Sequence, residues 1–122
     1  MLNALSVRPL ATFCGIRHVP LLAVARNSLF PSLTIESDGL RIRVIRVHDL
    51  KFDEIECITL RRRLPYQLTV VPRRGWWTYS ANFQLETALK VTAALQRHAA
   101  PLDTTALDFL RRNGHAPANR GL

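Results

Sequence analysis

The sequence predicts an α+β fold: a strongly curved antiparallel sheet or partly open barrel of about six to seven strands, capped by a C-terminal amphipathic helix and followed by a short second helix. Three observations carry this. Short apolar runs, several alternating with polar residues, are separated by turn residues from Val19 to Ala81. Asp38-Gly39 lies between two such runs and marks a hairpin. From Phe83 to His98 there is neither Pro nor Gly, and the apolar spacing lengthens to three or four residues.

Residues 1–18 are mixed and aperiodic, which predicts a loose arm or an irregular first strand. Val19 to Ala25 is uniformly apolar and reads as a buried strand, with a short helix as the alternative. Asn27, Ser28 and Pro31 break the chain. After Asp38-Gly39, Leu40, Ile42 and Val44 alternate with Arg41 and Arg43, so one face is buried and one is wet. The phase changes at Val44-Ile45, as a bulge or sharp twist would require. Leu50 to Phe52 is a brief extended piece and Asp53-Glu54 a connection. Ile55 to Arg62 reads as a strand with Ile58 and Leu60 on one side, ended by Pro65. Gln67 to Pro72 follows, then a tight turn at Arg73-Arg74-Gly75, then a return strand from Trp76 to Ala81.

In the helical stretch, Leu85, Ala88, Leu89, Thr92 and Leu95 form one stripe, with Asn82 as N-cap and Arg97 and His98 suiting the C-terminal end of the dipole. Pro101 stops it. Thr104 to Arg112 reads as a second helix capped by Asp103, with Leu107 and Leu110 on its apolar face and Gly114 beyond its end. The expected organisation is an irregular arm over 1–18, the domain over 19–100, a helical appendix over 101–114 and a disordered tail over 115–122.

Of 122 residues, 48% are hydrophobic and 21% charged, enough for one domain with a core. The net charge is +8, and more than half of it comes from five arginines between residues 61 and 75, where there is no acid. Such a stretch favours phosphate-bearing or acidic partners. Cys14 and Cys57 are far apart with no metal-type spacing, so both are expected to be reduced thiols in a cytoplasmic protein, peripheral to a membrane at most. No apolar run reaches the roughly 18–20 residues of a transmembrane helix.

SLTIESDGLRIRV, then FDEIECI, then a hairpin holding RGWWTYSANF that leads into a helix, resembles the bacterial pleckstrin-homology-like domain over Phe30 to His98. The resemblance implies a first hairpin turning at Asp-Gly, a fourth strand opened by Ile55-Glu56-Cys57-Ile58, and a sheet of about seven strands capped by the helix. It also implies a binding or scaffolding module, often self-associating, with no catalytic residues and no cofactor. Relatives often carry transmembrane hairpins; this chain carries none.

The candidate partner or anion site is Arg61, Arg62, Arg63, Arg73, Arg74, Trp76 and Trp77. On adjacent strands the two arginine groups sit at opposite ends, so they make no single pocket; Arg73 and Arg74 beside Trp76 hold one phosphate or insert an indole at an interface. Adjacent tryptophans in a strand point to opposite faces, which places one in the core and leaves the other to be covered by the arm or by another subunit. Asp49, Asp53 and Glu54 are candidates for an acidic oligomer interface facing the basic patch of another copy. His18, His48, His98 and His115 lack metal spacing and read as surface or loop residues, and Cys57 with His48 and Asp49 makes no convergent nucleophile. No recognition helix or glycine-rich loop points to nucleic acid. The expected function is a non-enzymatic module that docks another protein or itself; the alternative is contact with an anionic lipid surface through the Arg/Trp hairpin.

Overall fold

In a computed structural model the described residues form nine strands and two α-helices in the order β1 (Leu5–Val7), β2 (Ala11–Ile16), β3 (Val19–Asn27), β4 (Ser32–Ile35), β5 (Gly39–Arg43), β6 (Val47–Lys51), a 3-10 turn (Phe52–Glu54), β7 (Ile55–Arg61), β8 (Tyr66–Pro72), β9 (Trp77–Phe83), α1 (Leu85–Arg97) and α2 (Thr104–Asn113). The structure describes residues 4–16, 19–27 (backbone alone), 31–44, 46–61 and 66–113. The expected tail, His18, His115, Arg62 and Arg63 lie outside them.

The strands form two antiparallel sheets, one ordered β1-β4-β5-β6 and one ordered β3-β2-β9-β8-β7. The α+β class holds, but the expected curved sheet or partly open barrel of about six to seven strands is corrected to two sheets that do not close. Leu33, Ile35, Leu40, Ile42 and Val44 of the first sheet belong to the same core as Ile58, Leu60, Leu68, Val70 and Ala81 of the second. Thr12 is fully buried and its Oγ1 donates to the Arg43 carbonyl at 2.5 Å, tying β2 of one sheet to β5 of the other.

Residues expected as an irregular arm contribute β1 and β2, and β2 is an inner strand, paired with β9 from Ala11↔Asn82 to Ile16↔Trp77. The β4–β5 hairpin lies where Asp38-Gly39 puts it, with Ile35 opposite Leu40. Gly39 is needed there for another reason than backbone angle. Among the described residues the glycine with positive φ is Gly75, whereas a Cβ on Gly39 would lie 2.3 Å from the Leu50 carbonyl oxygen and 2.9 Å from the Lys51 Cα. The bulge or sharp twist expected at Val44-Ile45 falls on Ile45, outside the described residues; on either side of it the Val44 amide donates to the Arg46 carbonyl, and β6 pairs with β5 from Val47 opposite Arg43.

The helices cover the core. On α1 the buried residues are Ala88, Val91, Thr92, Ala94 and Leu95; Leu85 is exposed and Leu89 only half-buried, so the apolar stripe is rotated from its expected place. Gln84 is the N-cap, not Asn82, which lies in β9. His98, expected at the surface, is buried at the C-cap. The helix ends in a Schellman motif: the Ala100 amide donates to the Leu95 carbonyl and the Ala99 amide to Gln96, with Ala99 at φ 59°. On α2 the buried residues are Ala106 and Phe109; Leu107 is exposed and Leu110 half-buried, correcting the expected face. Asp103 does cap this helix, its Oδ1 accepting from the Ala106 amide at 3.1 Å.

The segment before α2 also closes the free edge of β7. The Ile58 amide donates to the Pro101 carbonyl, the Asp103 amide to the Ile58 carbonyl and the Leu60 amide to Thr105 Oγ1. An edge strand with its amides taken offers no template for another strand.

Candidate functional site

The turn between β8 and β9 is built by Gly75, whose φ of 93° suits glycine and whose Cβ position is open space. Arg73 anchors it. Its amide donates to the Glu54 carbonyl and its Nε to the Asp53 carbonyl, both at 2.9 Å, so the turn is bolted to the 3-10 turn. The 3-10 turn is itself held by the Glu54 carboxylate, which accepts the Lys51 amide at 2.8 Å, and by the Phe52 amide, which donates to the Asp38 carbonyl.

On this braced turn both tryptophans face water. Trp76 is 74% exposed and Trp77 48% exposed. The expectation that one lies in the core is corrected: Trp76 precedes the strand, and Trp77 sits at its first position opposite Ile16, at the end of the β2–β9 ladder. The expected alternation holds only inside a strand.

A cleft of about 450 Å³ opens beside the turn, lined by Asp49, Leu50, Asp53, Glu54, Pro72, Arg73 and Arg74. The acidic candidates and two of the basic candidates thus meet within one chain. Asp49 is engaged by Arg41, Nε to Oδ1 at 2.7 Å, which also holds the Arg41 guanidinium above its ordinary range. The Asp53 carboxylate and the Arg74 guanidinium have no hydrogen-bond or ion-pair partner among the described residues. Arg61 lies elsewhere, opposite Gln67 at the far end of β8. The separation from Pro72 is about 17 Å at ~3.3 Å per residue.

Around Tyr79, two residues along β9 from Trp77, lies a half-buried cluster that sequence patterning did not bring together. The His48 ring packs on Tyr79 with centroids 4.5 Å apart, joining β6 to β9, and Tyr79 is opposite Cys14. Burial pushes the Cys14 thiol up; burial and then Cys14 push the Tyr79 hydroxyl up; burial and then Arg46 hold the His48 imidazole below its ordinary range. A thiol held protonated is a poor nucleophile. Neither Cys14 nor Cys57 is in a disulfide. Among the described residues no three His, Cys, Asp or Glu side chains converge as a metal site, and no helix is long and apolar enough to cross a membrane. His98 was legible: it continues the Val91, Leu95 spacing by one more turn.

The structure titled "Structure of the Spt16D Pob3N heterodimer" superposes on 84% of this chain and 54% of its own with a TM-score of 0.57 at 13% identity. The chain therefore spans about half the length of that structure. At this identity the likeness shows the fold alone, and the fold is pleckstrin-homology-like. No protein-family model and no curated protein matches the chain.

Proposed function

We propose that this chain is a non-enzymatic protein-docking module whose contact surface is the β8–β9 turn with Arg73, Arg74, Trp76 and Trp77. The observation that carries this is the exposure of two adjacent tryptophans on a turn fixed to its neighbour by hydrogen bonds from Arg73. Trp and Arg dominate the binding energy of protein interfaces, and a rigid turn loses little entropy on docking. The fold supports the same reading, since the similar structure is that of a heterodimer. Arg73 and Arg74 also suit an anionic lipid headgroup. Three carboxylates lining the same cleft would repel its phosphate, so a protein is the favoured partner.

The test is site-specific photo-crosslinking in the native cell with a benzophenone side chain at position 76, against the same probe at exposed Lys90 on α1. Docking through the turn predicts a discrete crosslinked protein at 76 that is missing at 90 and is competed away by unlabelled wild-type chain but not by a Trp76→Ala, Trp77→Ala double variant. The same crosslinks at both positions would overturn it. Flotation with phosphatidylglycerol vesicles that is lost in an Arg73→Ala, Arg74→Ala variant would overturn it in favour of lipid.

A further inference from the structure

We propose that the cleft and turn form a self-complementary surface, and that a second copy of this chain occupies it about a two-fold axis, Asp53 of one copy facing Arg74 of the other. This rests on the docking surface argued above and names its partner.

The charge pattern supports a second copy. Asp53 and Arg74 line one open cleft of about 450 Å³, yet neither side chain has an ionic partner among the described residues. Arg73, also in the cleft wall, uses the Asp53 carbonyl rather than its carboxylate. Opposite charges that line one cleft and are left unpaired are matched twice over when an identical surface is turned through 180°, because in such an interface residue i meets j and j meets i. Any other occupant would have to carry its own copy of that alternation.

The overall charge narrows the choice of contact. Two chains at +8 repel each other wherever their surfaces are uniformly basic. At the cleft that repulsion is offset, since Asp49, Asp53 and Glu54 line it together with Arg73 and Arg74. The carboxylates of Asp38 and Asp108 are engaged within the chain by Lys51 and by Arg111 and Arg112.

The tryptophans give the size. With 74% and 48% exposure, and indoles that bury up to about 250 Å² each, two chains would cover on the order of 600 Å² from these four side chains. A specific interface needs roughly 1,200 Å² or more in total. The tryptophans thus supply about half, with the cleft walls supplying the rest. An interface near that lower bound fits a reversible dimer, governed by salt because its ion pairs lie at an open rim.

Sedimentation equilibrium of the full chain from about 5 to 500 μM tests this, with melting temperature confirming that each variant folds. The wild type is expected to dimerise, more weakly in 0.5 M salt. Arg74→Glu alone and Asp53→Arg alone are each expected to be monomeric. An equimolar mixture of these two variants is expected to restore a dimer, because at both contacts a carboxylate of the first variant then meets a guanidinium of the second. A monomeric wild type at 500 μM, single reversals that still dimerise, or a mixture that stays monomeric would each overturn the proposal. A monomer that nevertheless gave a discrete foreign crosslink at position 76 would remove self-pairing and leave docking through the turn intact. No crosslink of either kind would remove both.

Discussion

Replacing Phe109 by alanine should cost about 3–5 kcal/mol, the range for truncating a buried aromatic side chain. Phe109 is 1% exposed and its ring lies 5.5 Å from that of Tyr66 on β8, so the cavity would open inside the core and not under a peripheral helix. The segment leading into α2 also supplies backbone partners to β7, so α2 cannot swing inward to fill the space without breaking the bonds at Ile58. Against a typical total stability of about 5–15 kcal/mol, the loss would lower the melting temperature on the order of 10–25 °C for a chain of this size. Leu107, on the other side of the same helix and 42% exposed, is the control; its truncation should cost under about 1 kcal/mol. Urea unfolding followed by tryptophan fluorescence and by far-UV circular dichroism reads both variants. If Phe109→Ala and Leu107→Ala were equally mild, α2 would be an appendage and its place in the core would be refuted. Two separate transitions in the wild type would refute it equally.

Other outcomes follow from single contacts. Gly39→Ala forces a Cβ to within 2.3 Å of the Leu50 carbonyl, a backbone atom that can yield only by moving β6, and should cost at least about 2–3 kcal/mol by thermal unfolding. Ala99→Gly should stabilise by about 0.5–1 kcal/mol, since Ala99 holds φ 59° at a helix end where glycine is free of strain; a melting temperature that falls would contradict it. Burial depresses the His48 pKa, so the unfolded chain binds the more protons between that lowered value and about 6.5; stability is complete above this window and declines as pH falls through it. Melting temperatures from pH 7.5 to 5 should show that decline, and His48→Phe should flatten it.

The parts legible in the sequence are those whose cause is local. The β4–β5 hairpin follows from alternation around Asp38-Gly39, and the turn before β9 from Arg73-Arg74-Gly75. The α1 helix follows from a change of period, although its buried stripe runs through Val91 and Ala94 and misses Leu85. What stayed hidden depends on distant partners. The segment 11–16 has no regular alternation, and it becomes an inner strand because β9, more than sixty residues later, supplies its ladder. Gly39 could be read as a turn glycine from sequence, but the close approach of Leu50 and Lys51 that requires it appears only when β6 folds back. The candidate site divides in the same way. Its residue types are visible in the sequence, but that its acidic and basic groups line one cleft within a single chain depends on the backbone carbonyls of Asp53 and Glu54 holding Arg73.

That brace explains why two tryptophans can stand in water without collapsing onto the sheet. The Asp38 carbonyl holds the Phe52 amide, the Lys51 amide is held by the Glu54 carboxylate, and the Glu54 and Asp53 carbonyls hold Arg73. The β4–β5 turn, the 3-10 turn and the β8–β9 turn are thereby linked in series, each through at least one backbone group. Gly39 lies at the first link and Gly75 at the last, and they serve opposite needs: one permits close packing, the other permits a sharp reversal in open space. A perturbation at Gly39 should therefore reach the tryptophans. The Arg73 amide, held by Glu54, should lose hydrogen-exchange protection in Gly39→Ala well before the β8–β9 ladder does, whereas Gly75→Ala should strain the turn and leave the Phe52 amide protected. Equal loss at both amides in both variants would mean that the three turns are not coupled in this order.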